Sequence, residues 1–345
     1  MFGVSSVVGP LLGGALTEKV SRRWCFYINL PFGFLSISAV LFLMKSPGPL
    51  KSRPAVRDIF RKLDLLVLVL FIPSISCLII ALQWGGLVYP WNNGRVIALW
   101  VVFGVTLIAW MTNQAWKGDN ATLPPRIFFQ RTILSGFAYS FIFTSSMMML
   151  IYYIPLYFQV IKGVSPITSG LYFIPFILAL SISSLMFGIT TQKVGYYNPA
   201  MIASSVVASI GNGLVTTMTP GTSSSHWIGY LFLSGFGSGM ALQQASIAAQ
   251  AVLPTADVSI GIAIMLFGQQ LGGAVFLPVA QSVFTHELVK GVSGIEGIDT
   301  NTIINTGAIE LRSIVPEPEL QAFLYAYNRP WCMHGTSLWH YHLLP

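Results

Sequence analysis

Several carboxamide and phenol side chains lie within long apolar stretches of this sequence, where they could bind a small molecule. They are Asn29, Tyr152, Tyr153, Gln243, Gln244, Gln269 and Gln270. A polar group in an apolar environment needs a hydrogen-bond partner, so each of them predicts either a bond between helices or a water-filled cavity. We therefore predict that these residues line the path of a small-molecule substrate.

Two of these pairs have an alternative explanation. Gln243 and Gln244 follow a glycine-rich stretch that ends at Gly239. Such glycines thin the helix surface along a substrate path, but they serve close helix packing equally well. Tyr152 and Tyr153 belong to an aromatic segment that suits an amphipathic drug or, alternatively, the aromatic belt at a membrane interface.

Acidic residues offer few candidates for proton coupling. None of the eleven Asp and Glu residues lies in the middle of an apolar run. Asp64 begins such a run and is the best candidate, because a carboxylate at a helix N-terminus could bind and release a proton. The alternative for Asp64 is simple stabilisation of the helix through its dipole.

The sequence predicts no catalytic site, no metal site and no cofactor. It has no GxxxxGK[ST] nucleotide loop, no HExxH and no GxSxG segment, which argues against an enzyme or an ATP-driven pump. Three histidines near the C-terminus, His334, His340 and His342, could bind a metal ion, but we expect no ordered scaffold for them and therefore no metal site. The net charge of +7 does not indicate nucleic-acid binding, because the basic residues flank apolar runs.

The composition places the chain in a membrane. Only 8% of its 345 residues are charged and 54% are apolar, whereas a soluble domain has about 25% charged residues. The charges cluster between charge-free runs, and about 20 apolar residues suffice for one helical crossing. The runs predict nine helices, near residues 1–17, 24–44, 64–84, 96–116, 132–158, 168–191, 199–218, 227–252 and 258–285.

The basic residues also predict the orientation of these helices. Most of them fall in the loops of one side, which the positive-inside rule assigns to the cytoplasm. The predicted organisation is the end of an N-terminal bundle (1–44), a basic cytoplasmic connector (45–63), seven further helices (64–285), an exoplasmic loop (286–328) and a divergent tail (329–345).

The opening segment, SSVVGPLLGGAL, gathers small residues on one helical face. Its central residues are Gly9, Pro10, Gly13 and Gly14. The longer stretch GPLLGGALTEKVSRRWCFYINLPFG (9–33) resembles the antiporter motif of the major facilitator superfamily followed by the next helix, in the version of fungal 14-helix drug/proton antiporters. The segments LPPRIFFQRTILSG, YYIPLYFQVIKGVSPITSG and GSGMALQQASIAAQ extend the resemblance over roughly residues 3–328.

This resemblance implies an all-α polytopic helix bundle of the major facilitator type, in which the nine predicted helices are helices five to thirteen of fourteen. It implies proton-coupled efflux of small amphipathic compounds such as drugs, toxins or fungal secondary metabolites. The implied partners are the substrate, protons and the lipid bilayer, at the plasma membrane or alternatively the vacuolar membrane. Because four helices before these and one after them would be missing, the alternative function is a truncated, transport-inactive remnant or a membrane-interaction protein.

Overall fold

The computed structural model describes residues 13, 16, 21, 23–43, 65–86, 88–292, 323, 324, 327 and 328. The predicted connector 45–63, the tail 329–345 and most of the predicted helix 1–17 lie outside the described residues. The described helices are α1 (Trp24–Tyr27), α2 (Asn29–Leu43), α3 (Leu65–Trp84), α4 (Gly94–Lys117), α5 (Pro125–Phe128), α6 (Arg131–Ile161), α7 (Pro166–Val194), α8 (Asn198–Thr216), α9 (Ser224–Ala241), α10 (Gln244–Val252) and α11 (Val258–Val292). The described part contains no β-strand, only an isolated bridge between Gly85 and Tyr89, which confirms the all-α prediction.

Seven helical segments in the described part have the length and apolarity of a membrane crossing. They are Trp24–Leu43, Leu66–Trp84, Gly94–Lys117, Arg131–Ile161, Pro166–Val194, Asn198–Thr216 and Val258–Gly291. α9 and α10 together extend over residues 224–252, which is about 40 Å at 1.5 Å per residue and enough for one further crossing.

Three predicted helices differ clearly from the observed ones, and the first of them, 24–44, is interrupted at Ile28 between α1 and α2. The segment 227–252, predicted as one helix, is interrupted at Leu242 and Gln243. α11 continues beyond its predicted end at 285 to Val292. Its last turns are stabilised by Leu288, which is buried in the apolar core, and by an ion pair between Lys290 and Glu287 at 3.2 Å.

Glycine contacts assemble α7, α8 and α9. Gly235 and Gly239 lie one turn apart on the face of α9 toward α7, and a side chain at Gly235 would collide with the backbone of Phe176. On another face of α9, a side chain at Gly237 would collide with the backbone of Ala208 in α8. These glycines therefore serve helix packing, which was one of the two explanations that the sequence left open.

α6 and α11 form a second closely packed pair. A side chain at Gly272 would collide with the carbonyl oxygen of Phe141, and one at Gly268 would lie 2.9 Å from the ring of Phe137. Toward the end predicted to be exoplasmic, the two helices share an aromatic core with the described residues near 325. Ring contacts join Tyr153 to Phe284 (5.4 Å) and Phe284 to Tyr327 (5.2 Å).

The first four helices differ in their packing: the α3–α4 pair packs against α11, whereas α1 and α2 have no buried residues. The α3–α4 pair contacts α11 through Phe71, whose ring lies 5.4 Å from Phe267 and 5.2 Å from Trp110 of α4. α1 and α2 contain no buried residue. Phe42 of α2, for example, is 87% exposed in this structure.

The guanidinium group of Arg126 forms ion pairs at the end of the bundle that is predicted to be cytoplasmic. Arg126 of α5 lies 3.1 Å from the carboxylate of Asp257, just before α11, and 3.4 Å from Asp119, just after α4. The hydrogen bond to Asp257 is the main cause that raises the pKa of Arg126 above its ordinary value. Arg126 therefore connects the segment between α4 and α6 to the start of α11, 131 residues further along the chain.

We expect Gly235→Ala to destabilise the protein by about 1–3 kcal/mol, the usual cost of overpacking. The added methyl group has to displace α9 from the backbone of α7. Gly229→Ala is the matched control on the same helix, because nothing lies within 4 Å of the position of its methyl group. Thermal unfolding in lipid nanodiscs would measure both variants, and equal stability of the two would contradict the packing assigned to Gly235.

The ion pair makes a separate prediction. Arg126→Gln and Asp257→Asn should each lower the melting temperature, and the double variant should lose less than the sum of the two, because either substitution alone already removes the pair. The gap between the loss in the double variant and the sum of the two single losses should shrink at about 0.5 M salt, where exposed charges are screened. Additive losses at both salt concentrations would show that the two side chains do not interact.

Candidate functional site

The most distinctive local feature of the described part is the interruption between α9 and α10. Gln243 has φ −107° and ψ −10°, which departs from regular helical values. The carbonyl oxygen of Leu242, at the end of α9, accepts a hydrogen bond of 3.3 Å from Nε2 of Gln269 in α11. A glutamine that the sequence selected as a candidate therefore binds the main chain where the crossing is broken.

Three of the predicted substrate-path residues, Gln243, Gln244 and Gln269, lie at this interruption, and Gln270 follows Gln269 on α11. We call these four residues the glutamine cluster. Gln243 is exposed, with its Oε1 facing Gly188 of α7. Gln270 is exposed beside Gln269. The cluster thus combines surface amides with amides that are partly or fully covered.

Gln244 is the fully buried member of the cluster. Its side chain has no accessible surface, and neither its Oε1 nor its Nε2 has a hydrogen-bond partner among the described residues. An unsatisfied buried amide costs about 1–3 kcal/mol of folding free energy. This cost marks Gln244 as a residue that stability alone does not explain.

Ser140, on the segment of α6 that packs against α10, is another buried polar residue without a hydrogen-bond partner in the described part of the chain. Its hydroxyl group is buried without a partner among the described residues. One turn earlier, a methyl group added at Gly136 would lie 4.0 Å from Cβ of Ala245 and 3.1 Å from Sδ of Met265. The segment of α6 that carries Ser140 therefore faces the start of α10.

The two tyrosine candidates lie elsewhere along the bundle. Tyr153 is buried and donates a hydrogen bond of 3.1 Å to Oε1 of Gln281 in α11, whereas Tyr152 is 46% exposed. Gln281 is three turns beyond Gln269, about 18 Å along the helix. The tyrosines therefore lie outside the glutamine cluster, although Tyr153 also bonds to a glutamine of α11.

The other candidates are not brought to the cluster. Asn29 is exposed on α2 and donates only to the carbonyl of Cys25 in its own helical segment, at 3.4 Å. Of the antiporter motif, Gly13 is described and helical, and its carbonyl accepts a bond from the Cys25 thiol at 3.7 Å. Gly9, Pro10, Gly14 and Asp64 lie outside the described residues.

Sequence reasoning missed a buried polar network that joins three helices. Asn212 of α8 donates to Ser146 of α6 at 3.1 Å, and Ser234 of α9 donates to Asn212 at 2.6 Å. Asn212 could have been found by the signal that selected the glutamines, an amide within an apolar run. Its amide nitrogen and oxygen each have a partner, so this network holds helices together in a way that Gln244 does not.

A separate cavity of about 340 Å³ lies between α7 and α8 near the end predicted to be cytoplasmic. Its lining includes Phe187, Val194, Tyr196 and Pro199 and is almost wholly apolar. None of the substrate-path candidates lines it. The cavity therefore does not extend the glutamine cluster.

Comparison with known proteins identifies similar sequences. A family model described as Major Facilitator Superfamily matches residues 1–277. Over 95% of its length, this chain is 47% identical to the MFS-type efflux pump MFS1 of Arthroderma benhamiae. Over the same share of its length, it is 43% identical to the efflux pump aflT of Aspergillus parasiticus and 39% identical to the rubrofusarin-specific efflux pump aurT of Gibberella zeae. The chain covers 62%, 64% and 60% of these relatives, so it spans less than two thirds of their length.

The bond between Gln269 and Leu242 predicts a difference between two adjacent glutamines. Gln269→Leu should destabilise the protein by about 0.5–1.5 kcal/mol, because it leaves the carbonyl of Leu242 without its partner. Gln270→Leu, at the exposed neighbouring position, should leave the free energy of unfolding nearly unchanged. Thermal unfolding of both variants in nanodiscs is the measurement, and a larger loss for Gln270→Leu would refute the assignment.

Proposed function

The chain belongs to the Major Facilitator Superfamily, and from that membership we propose that it carries small amphipathic compounds out of the cell by proton-coupled efflux. The observation that carries this proposal is the glutamine cluster at the interruption between α9 and α10. Membrane transporters commonly build their substrate sites near the membrane midplane, where a crossing helix is discontinuous. The relatives described as efflux pumps support the direction of transport.

The exposed members of the cluster are suited to an amphipathic substrate. Gln243 and Gln270 each present an amide that can donate and accept hydrogen bonds, next to an apolar helix surface. A compound with an apolar body and a few polar groups could bind to both. We propose that Gln243 and Gln270 contact the substrate directly and that Tyr152 extends its path toward the exoplasmic end.

Proton coupling has to use few acidic groups. In the described part of the chain the acids are Asp119, Asp257 and Glu287, and each lies near the end of a crossing. Asp257 is already paired with Arg126. Asp64, which directly precedes α3, remains our candidate for the group that binds the proton, and we propose the plasma membrane as the location of the carrier.

Expression in yeast that lacks its own drug pumps tests this function. Cells that deliver the chain to the plasma membrane should accumulate less of at least one compound in a fluorescent panel than vector controls, and a protonophore should abolish the difference because it removes the proton gradient. Gln243→Ala combined with Gln270→Ala should raise accumulation toward the vector level.

Gln250→Ala is the control variant for this experiment. Gln250 is also an exposed glutamine and lies on α10, but outside the glutamine cluster, so its substitution should leave accumulation unchanged. Accumulation equal to that of vector cells for every compound, with the chain confirmed at the membrane, would reject transport by this chain. Efflux that persists in the double variant would reject the substrate contacts alone.

A further inference from the structure

Ser140 and Gln244 bury hydrogen-bonding groups that the described structure leaves unsatisfied. They are the hydroxyl oxygen of Ser140 and both amide atoms of Gln244. The two side chains are almost completely covered, at 3% and 0% exposure. Among the described residues, Asn113, Gln114 and Asn328 each leave one buried amide atom unpaired, and Gln244 is the one amide that leaves both. The buried amide of Asn212, in contrast, is bonded on both sides.

Contacts on either side place these two residues in one layer between α6 and the broken crossing. On one side, Gly136 of α6 faces Ala245 of α10. On the other, Phe143 of α6 belongs to the same buried cluster as Ala241 of α9. Ser140 and Gln244 lie between these contacts on their respective helices. The layer is therefore bounded by two small alanines and by one aromatic ring.

We propose that this layer is a binding subsite for cyclic lactams and imides, and we call it the lactam subsite. A primary amide offers a donor and an acceptor side by side, and a ring N–H beside a ring carbonyl presents the complementary pair. Nε2 of Gln244 donates to the ring carbonyl while Oε1 accepts from the ring N–H. The hydroxyl of Ser140 donates to the second lone pair of that carbonyl, and Phe143 packs against the ring. This subsite rests on the proposed function and adds a substrate class to it.

The interruption at Leu242 and Gln243 provides access to the subsite. Gln244 is covered in this conformation, so a ligand must bind a state in which α10 has shifted. α10 packs against α6 and α11, and at its start the regular helix of α9 has already ended. α10 can therefore shift away from α6 while the glycine contacts of α9 with α7 and α8 stay in place.

A pair of probes that differ by one methyl group tests the subsite. 2-Quinolone has the lactam N–H and carbonyl, and N-methyl-2-quinolone has the same ring and carbonyl without the donor. Equilibrium dialysis against the whole chain in nanodiscs, with empty nanodiscs subtracted, should show binding of 2-quinolone about tenfold tighter than of its N-methyl derivative, because the latter leaves Oε1 of Gln244 unpaired.

Substitution of the amide should abolish this preference without harming the fold. Gln244→Leu should bind both probes equally weakly and should melt at the same or a higher temperature, since it replaces an unsatisfied polar group by an apolar one. Gln250→Leu, the same substitution at an exposed position of α10, should keep the tenfold preference. Gln244→Met, which nearly preserves the length and volume of the side chain, serves the same purpose if the leucine variant does not fold.

Three outcomes would overturn the lactam subsite: equal binding of the two probes, no binding of either, or a preference that survives in the folded Gln244 variant. The yeast experiment separates this failure from failure of the proposed function. Dye efflux without lactam preference rejects the subsite and leaves efflux standing. Lactam preference without dye efflux rejects transport by this chain and leaves a ligand-binding membrane protein.

Discussion

The lipid interior provides no water to hydrogen-bond a polar group, and the whole structure depends on how this constraint is met. Helices satisfy their own backbone, which explains why every crossing in the described part is helical. Polar side chains bond either to a carbonyl of their own helix, as Ser145 does with Phe141, or to side chains of other helices, as Asn212 does with Ser146 and Ser234. The constraint also makes the exceptions informative, because an unpaired buried amide such as Gln244 costs about 1–3 kcal/mol of folding free energy.

Close backbone contact is the second means by which the bundle is held together. Lipid tails are as apolar as leucine, so apolar side chains gain little from leaving lipid for a helix interface, and association relies on packing. The glycines of α9 allow it to lie against the backbones of both α7 and α8. This arrangement fixes α9 firmly, whereas α10, beyond the interruption, packs with α6 and α11 instead. A broken crossing whose two parts belong to different packing groups can change its shape at the break.

The glutamine cluster lies at this junction, where structural and functional requirements meet. Gln269 compensates for the break by binding the carbonyl of Leu242, so one amide of the cluster has a structural role. Gln243 and Gln270 are exposed, and Gln244 is covered and unpaired. Four chemically identical side chains, in two pairs of adjacent residues, therefore differ in hydrogen bonding and in exposure, and the substrate contacts that we propose follow from those differences.

The sequence by itself determined the helical class and the approximate limits of the crossings, because charge-free runs of about 20 residues have few alternatives in a membrane. It also determined the family, because the motif from Gly9 to Gly33 is distinctive. It also selected the glutamines, since an amide in an apolar run stands out. Only the tertiary structure decided that Gly235 serves packing, that residues 227–252 form two helices, and that Arg126 pairs with Asp257. These outcomes depend on atoms of other helices, which a linear pattern does not contain. Whether an amide is satisfied, as Asn212 is, or unsatisfied, as Gln244 is, follows from the same cause: the partner is supplied by packing.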